Sequence, residues 1–144
     1  MIAPLLLAIH LLCAVLWVGG MAFAIMVLAP SLAVLQPPER LATLTEIFRR
    51  FFRLVWHVMP ILLLSGYAML FGIYGGFAHA AWPIHVMHLT GLIMAALFAY
   101  IYFAPWRAMQ HAPTAETATR IRRLISINLG LGLLTVAIAA WAGI

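Results

Sequence analysis

Residues 1–30, MIAPLLLAIHLLCAVLWVGGMAFAIMVLAP, contain no charged side chain and a single histidine. A signal-peptide core spans about 7–15 apolar residues behind a basic segment. This run is longer and has no basic segment before it, so it reads as a retained transmembrane helix. The same reading, carried along the chain, finds spans at about 3–28, 52–74, 82–103 and 124–141. Each approaches or exceeds the about 20 apolar residues that cross a bilayer, and a helix satisfies its own backbone hydrogen bonds in lipid. The expected fold is all-α: an integral membrane four-helix bundle forming one domain over 1–144. Composition agrees. The chain is 67% apolar and 8% charged, with a mean hydropathy of +1.12, whereas about a quarter of residues are charged in soluble domains. That balance excludes a soluble enzyme, a disordered tail and a nucleic-acid-binding domain.

The charges set the topology. All eight basic residues are arginine, in two clusters: Arg40, Arg49, Arg50 and Arg53, then Arg107, Arg120, Arg122 and Arg123. The acids Glu39, Glu46 and Glu116 share those segments. By the positive-inside rule both arginine-rich loops are cytoplasmic, so the termini and the Gly75–Ala81 turn are periplasmic, at an inner (plasma) membrane. Each loop is expected to hold a short helix, at about 37–50 and 113–122, opened by proline. The chain also repeats itself. Ala29-Pro30 and Ala104-Pro105 each end a span, and each is followed by glutamine, proline and a helix closing in paired arginines. Two helical hairpins in one orientation imply a pseudo-two-fold axis along the membrane normal. Counting back equally from the two prolines places His10 and His85 at equivalent depth on parallel helices.

An ionisable residue within a span is costly and usually faces the bundle interior. His10, His57, His85 and His88 are the candidates. The bland alternative is a histidine that hydrogen-bonds a neighbouring helix or sits among headgroups. His85 and His88 share a helix face, followed by Gly91, Ala95 and Ala99; Cys13, Trp17 and Gly20 share the face of His10. Small residues below a histidine leave room for a flat cofactor, but they also serve close helix packing. His57 matches Asn128 in depth, which suggests a contact between them or a weak second ligand. His79 and His111 lie in loops. His85-Val86-Met87-His88, with Met21, Met26, Met69 and Met94, adds the soft donors that suit Cu(I), although methionine is also ordinary apolar filler. No carboxylate lies within a span, and no catalytic triad or phosphate loop exists. Tyr67, Tyr100 and Tyr102 read as interface anchors. Cys13 is the only cysteine, so neither an internal disulfide nor a CxxC motif is available.

AIHLLCAVLWVGGMAFAIMVLAPSL resembles the first span of the CopD-type (copper resistance protein D) membrane proteins. RRFFRLVWHVMPILLLSGYAML is similar to their second span. HVMHLTGLIMAALFAYIYFAPWRAM and IRRLISINLGLGLLTV resemble the third and fourth spans of small members. The resemblance implies copper handling. A related branch, the HemJ-type protoporphyrinogen oxidases, implies haem b and membrane redox chemistry. That branch uses a first-span histidine, matched by His10, together with a lysine, and this chain has none.

Three readings follow. The first is a haem b protein with His10 and His85 as iron ligands and His88 as a substitute ligand or propionate partner. Trp17 and Gly91 would border the ring, and the chain would transfer electrons or act as a membrane oxidoreductase, with a quinone or periplasmic acceptor. The second is a copper-binding or copper-permeating protein using His10, His85, His88, Met87 and His57, with Cys13 and Met21 as further soft donors and a periplasmic copper partner. The third is a scaffold subunit whose histidines only hydrogen-bond. All three place the chain in a lipid bilayer, without nucleic acid, and leave a homo-oligomer open.

Overall fold

The computed structural model describes residues 1–143. It is helical throughout, with no strand among the described residues. Four helices are long and apolar enough to cross a membrane: α1 (Ile2–Val34), α2 (Pro37–Gly72), α3 (Trp82–His111) and α4 (Ala115–Ala142).

Their ends follow from local chemistry. Prolines open α2 and α3, where a missing N–H costs nothing. Thr114 caps α4, its Oγ1 accepting from Thr117 N–H at 3.1 Å. The last carbonyls of α1 would be orphaned. Arg40 helps to satisfy them: Nε donates to Leu32 O at 3.1 Å and Nη2 to Ala33 O at 3.3 Å, and Nη2 also reaches Leu35 O just beyond the helix at 3.0 Å. The α2–α3 turn needs left-handed backbone at Gly75 (φ 75°) and Gly76 (φ 95°), which glycine adopts without a Cβ clash.

The loop segments run on into the spans. The helix expected over 37–50 is the first part of α2, and the one expected over 113–122 is the first part of α4. No glycine or proline separates these segments from the spans, so nothing breaks the helix. At about 1.5 Å per residue, the 36 residues of α2 reach about 54 Å. That exceeds the about 30 Å of hydrocarbon, so its arginine-rich turns project beyond it. The repeated prolines do share a backbone feature. A π-helical turn occupies Ala24–Leu28 just before Pro30, and another occupies Tyr102–Trp106 around Pro105. Proline removes one ladder hydrogen bond and crowds the carbonyl four residues back, and a widened turn relieves both.

Helix α1 packs along α2, and α3 along α4; α4 also touches α1. The core is aromatic. Phe48, Phe52 and Trp56 of α2, spaced four apart, meet Phe98, Tyr102 and Trp106 of α3 with the same spacing. Centroids lie 5.2 Å apart for Phe52–Trp106, 5.3 Å for Trp56–Phe98 and 5.2 Å for Trp56–Tyr102. Edge-to-face rings at such distances attract through their quadrupoles. Tyr102 therefore belongs to an interhelical seam. Gly132 lets α4 approach closely, because a Cβ there would meet Val18 Cγ2 at 2.9 Å and Met94 Cε at 3.1 Å.

Polar side chains join α3 to α4. Thr135 Oγ1 donates to Thr90 Oγ1 at 2.7 Å, and Asn128 Nδ2 to Met94 O at 3.3 Å. Asn128 is 1% exposed, and its Oδ1 has no partner. An orphaned buried acceptor costs about 1–3 kcal/mol, while an apolar residue of like shape is nearly neutral. Asn128→Leu should therefore leave the bundle at least as stable in a detergent unfolding titration. A loss above about 1 kcal/mol would show that the amide contributes more than its long bond to Met94.

Candidate functional site

Four of the histidines lie toward the end of the bundle opposite the arginines. His10 is held between α1 and α2. Its Nδ1 lies 3.1 Å from both Leu62 O and Ser65 Oγ, and Ser65 Oγ itself donates to Leu62 O at 2.9 Å. A carbonyl only accepts, so the Nδ1 proton of His10 is donated to α2 and the lone pair is left on Nε2. Gly66 makes the seat: a Cβ there would stand 3.2 Å from His10 Cε1. Gly66→Val should push the imidazole off Leu62 and loosen α1 from α2. Membrane interhelical hydrogen bonds average about 0.6 kcal/mol and overpacking adds about 1–3 kcal/mol, so a fall of about 2 kcal/mol is expected. Detergent unfolding checks it against Gly19→Val, where a Cβ meets nothing within 4 Å.

His85 and His88 occupy the opening turns of α3 and gather on Phe77, in the short 3-10 turn Phe77–His79. His85 stacks on Phe77 at 6.1 Å and 26°, and its Nε2 donates to Ala80 O at 3.2 Å. His88 meets Phe77 edge-on at 5.0 Å and Tyr67 of α2 at 5.2 Å. It makes no hydrogen bond among the described residues, so its nitrogens are uncommitted. His79 closes the same turn, with Nδ1 donating to Gly75 O at 3.2 Å.

The structure shows no histidine pair arranged for haem. His10 docks on the Leu62–Gly66 face of α2, whereas His88 meets Tyr67, about 140° round that helix from Leu62. His85 leans on its own preceding turn. Helices α1 and α3 share no extended interface, and the structure brings His10 and His85 to different neighbours. Trp17 does not border a ring either. It is 1% exposed and packs edge-on against Phe98 at 6.4 Å. At Gly91 a Cβ would meet nothing within 4 Å, so that glycine flanks open space. Haem binding, electron transfer and oxidoreductase chemistry are without support from this arrangement.

The copper candidates also separate. His85 and His88 stay together. His10 is committed to α2. Met87 is turned about 100° from His88 and about 160° from His85 by helical geometry. His57 lies at the arginine-rich end, its Nδ1 donating to Arg53 O at 2.8 Å. It makes no contact with Asn128, which reaches Met94 instead. Cys13 and Met21 are buried at 7% and 1% exposure in the core. Among the described residues no three His, Cys, Asp or Glu side chains converge as a metal-binding group. The arrangement offers a pair of imidazoles at the mouth of the bundle, with a third on the adjoining turn. Phe77, Ser65 and Gly66 were not anticipated as organising residues. The only sequence signal for them was their position near the histidines' depth.

Comparison with known proteins adds one finding. Residues 45–142 match the family described as copper resistance protein D. The match covers α3 and α4 up to their ends and most of α2, and it leaves α1 and His10 outside. Neither curated proteins nor solved structures give a match.

Proposed function

The chain belongs to the copper resistance protein D family, and from that premise we propose that it handles copper as cargo at the histidine-bearing end of the bundle. The observation that carries this is the His85–His88 pair, which lies inside the matched segment and keeps uncommitted nitrogen lone pairs. His85 Nε2 donates to Ala80 O, so its Nδ1 is free to ligate. Imidazole is a good copper ligand and suits a site without carboxylates. A d10 cuprous ion is content with two donors, so a pair on one helical turn suffices for capture.

Electrostatics favours this end. His85 is exposed, three residues into α3. A cation held there stays near the headgroup layer and avoids the cost of charge in hydrocarbon. With the arginine-rich end cytoplasmic by the positive-inside rule, the pair faces the periplasm and collects copper from that side. His10 contributes structure in this account, by tying α1 to α2.

The test is cuprous loading of the detergent-purified chain under ascorbate, followed by desalting and metal analysis. Stoichiometric copper is expected. A protein retaining no copper above a histidine-free membrane protein treated alike would contradict the proposal.

A further inference from the structure

The opposite end of the molecule carries a cleft that copper handling does not use. It lies between α2 and α3, has a volume of about 260 Å³, and is lined by Arg49, Arg53, Trp56, His57, Tyr102, Trp106 and Gln110. Its two walls have matching periods. Arg49, Arg53 and His57 are spaced four apart on α2, and Tyr102, Trp106 and Gln110 are spaced four apart on α3, so each trio forms one continuous stripe. The π-turn Tyr102–Trp106 shapes the second wall.

Its donors are largely unspent. Arg49 pairs with Glu46 at 2.5 Å, outside the cleft lining. Arg53 makes no ion pair among the described residues. Its carbonyl accepts from His57 Nδ1–H, which fixes that ring. Neither the Gln110 amide nor the Tyr102 hydroxyl has a hydrogen bond among the described residues. No carboxylate lines the cleft. The result is a positive pocket with an aromatic floor and free N–H and O–H groups, which suits a phosphate-bearing anion.

We propose that this cleft binds the phosphodiester headgroup of an anionic phospholipid. Three observations favour a lipid over a soluble phosphate. The cleft is smaller than the about 300–1,000 Å³ of pockets that enclose whole ligands, so it suits a headgroup alone. Its neighbours are apolar and exposed: Leu54 at 40% and Phe103 at 53%, with Phe103 6.0 Å from Trp56. Acyl chains continue along that surface. Arg107 lies over Phe103 at 5.6 Å, adding positive charge at the rim. Basic pockets between spanning helices on the cytoplasmic side are where anionic headgroups bind.

The experiment exchanges the full chain into mixed micelles containing phosphatidylglycerol or phosphatidylcholine with the same acyl chains. Lipid retained after gel filtration is then measured by mass spectrometry. Wild type should retain phosphatidylglycerol in preference to phosphatidylcholine. Arg53→Gln, at an exposed position, should reduce that preference, and Arg49→Gln/Arg53→Gln should lower it by more than about tenfold, which is about 1.4 kcal/mol. Arg120→Gln/Arg123→Gln removes the same charge elsewhere and should leave the preference intact. Equal retention of both lipids by wild type, or equal loss in the two double variants, would overturn the proposal. Displacement of the lipid by millimolar inorganic phosphate would assign the cleft to a free anion and overturn it as well. Thermal melting of each variant confirms that it is folded.

Discussion

Phe98→Ala should weaken the bundle more than any other single truncation. Phe98 is 2% exposed. It meets Trp17 of α1 at 6.4 Å, Phe52 and Trp56 of α2 at 5.8 and 5.3 Å, and Tyr102 of its own helix at 6.2 Å. It is the one aromatic side chain that touches rings on three helices. In lipid, burying an apolar group away from water contributes little, because the hydrocarbon is as apolar as the core. What remains is lost packing. A cavity of roughly 100 Å³ at about 24 cal/mol per Å³ gives about 2.4 kcal/mol, with further loss from the edge-to-face pairs. Detergent unfolding should therefore show a fall of about 2–4 kcal/mol. The control is Phe103→Ala, at a position 53% exposed, which should change stability by no more than about 0.5–1 kcal/mol. Equal effects at the two sites would mean that the seam is not what joins the two hairpins.

The second large effect is on metal. His85→Ala/His88→Ala removes both members of the capture pair while leaving every interhelical hydrogen bond in place. Even outer residues that merely orient a ligand cost about 10–100-fold in metal affinity, so losing both donors should weaken copper binding by more than about 100-fold. Competition with a cuprous chelator measures it. His10→Ala is expected to do the opposite. It breaks the bond to Leu62 O, lowers stability by about 0.6–1.7 kcal/mol, and leaves copper affinity nearly unchanged. The two variants thus separate the histidine that ties helices together from the pair proposed to hold copper. If His10→Ala lost copper as severely as the double variant, the ligand assignment would be wrong.

Much of this fold was legible because hydropathy speaks directly about helices in lipid. Long uncharged runs, prolines at helix starts and glycines at the one tight turn located all four helices. The internal repeat marked both prolines, but as span ends, whereas the helices run on past them through π-turns. Rotation about the helix axis was not legible in the same way. Counting from Pro30 and Pro105 gives depth, and depth suggested that His10 and His85 form a pair. Which neighbour each imidazole meets depends on packing, and here Gly66 opens a seat for His10 on α2 while Phe77 gathers His85 and His88 elsewhere. The π-turns add to the difficulty, since an extra residue in a turn swings the faces on either side of it. The aromatic seam was within reach. The four-residue spacing of Phe48, Phe52 and Trp56, repeated in Phe98, Tyr102 and Trp106, is a helical period. Aromatic residues near span ends also serve as interface anchors, so the period alone does not distinguish Tyr102 in a seam from Tyr102 at the membrane surface.

The arginines show how one composition serves several tasks. Arg40 closes the α1–α2 turn on backbone carbonyls. Arg50 pairs with Glu46 at 2.8 Å, and Arg120 engages Tyr100 through its hydroxyl and ring. Arg53 is left for the cleft. The same arginine clusters therefore supply a turn clasp and line the cleft proposed to bind an anionic headgroup.

The most direct measurement is X-ray absorption at the copper edge on the cuprous-loaded chain, in wild type and in His85→Ala/His88→Ala. The account predicts scattering typical of imidazole nitrogen around copper in wild type, and its loss in the double variant while the helical content is unchanged. Copper ligated by sulfur alone, or an imidazole signature that survives in the double variant, would contradict it.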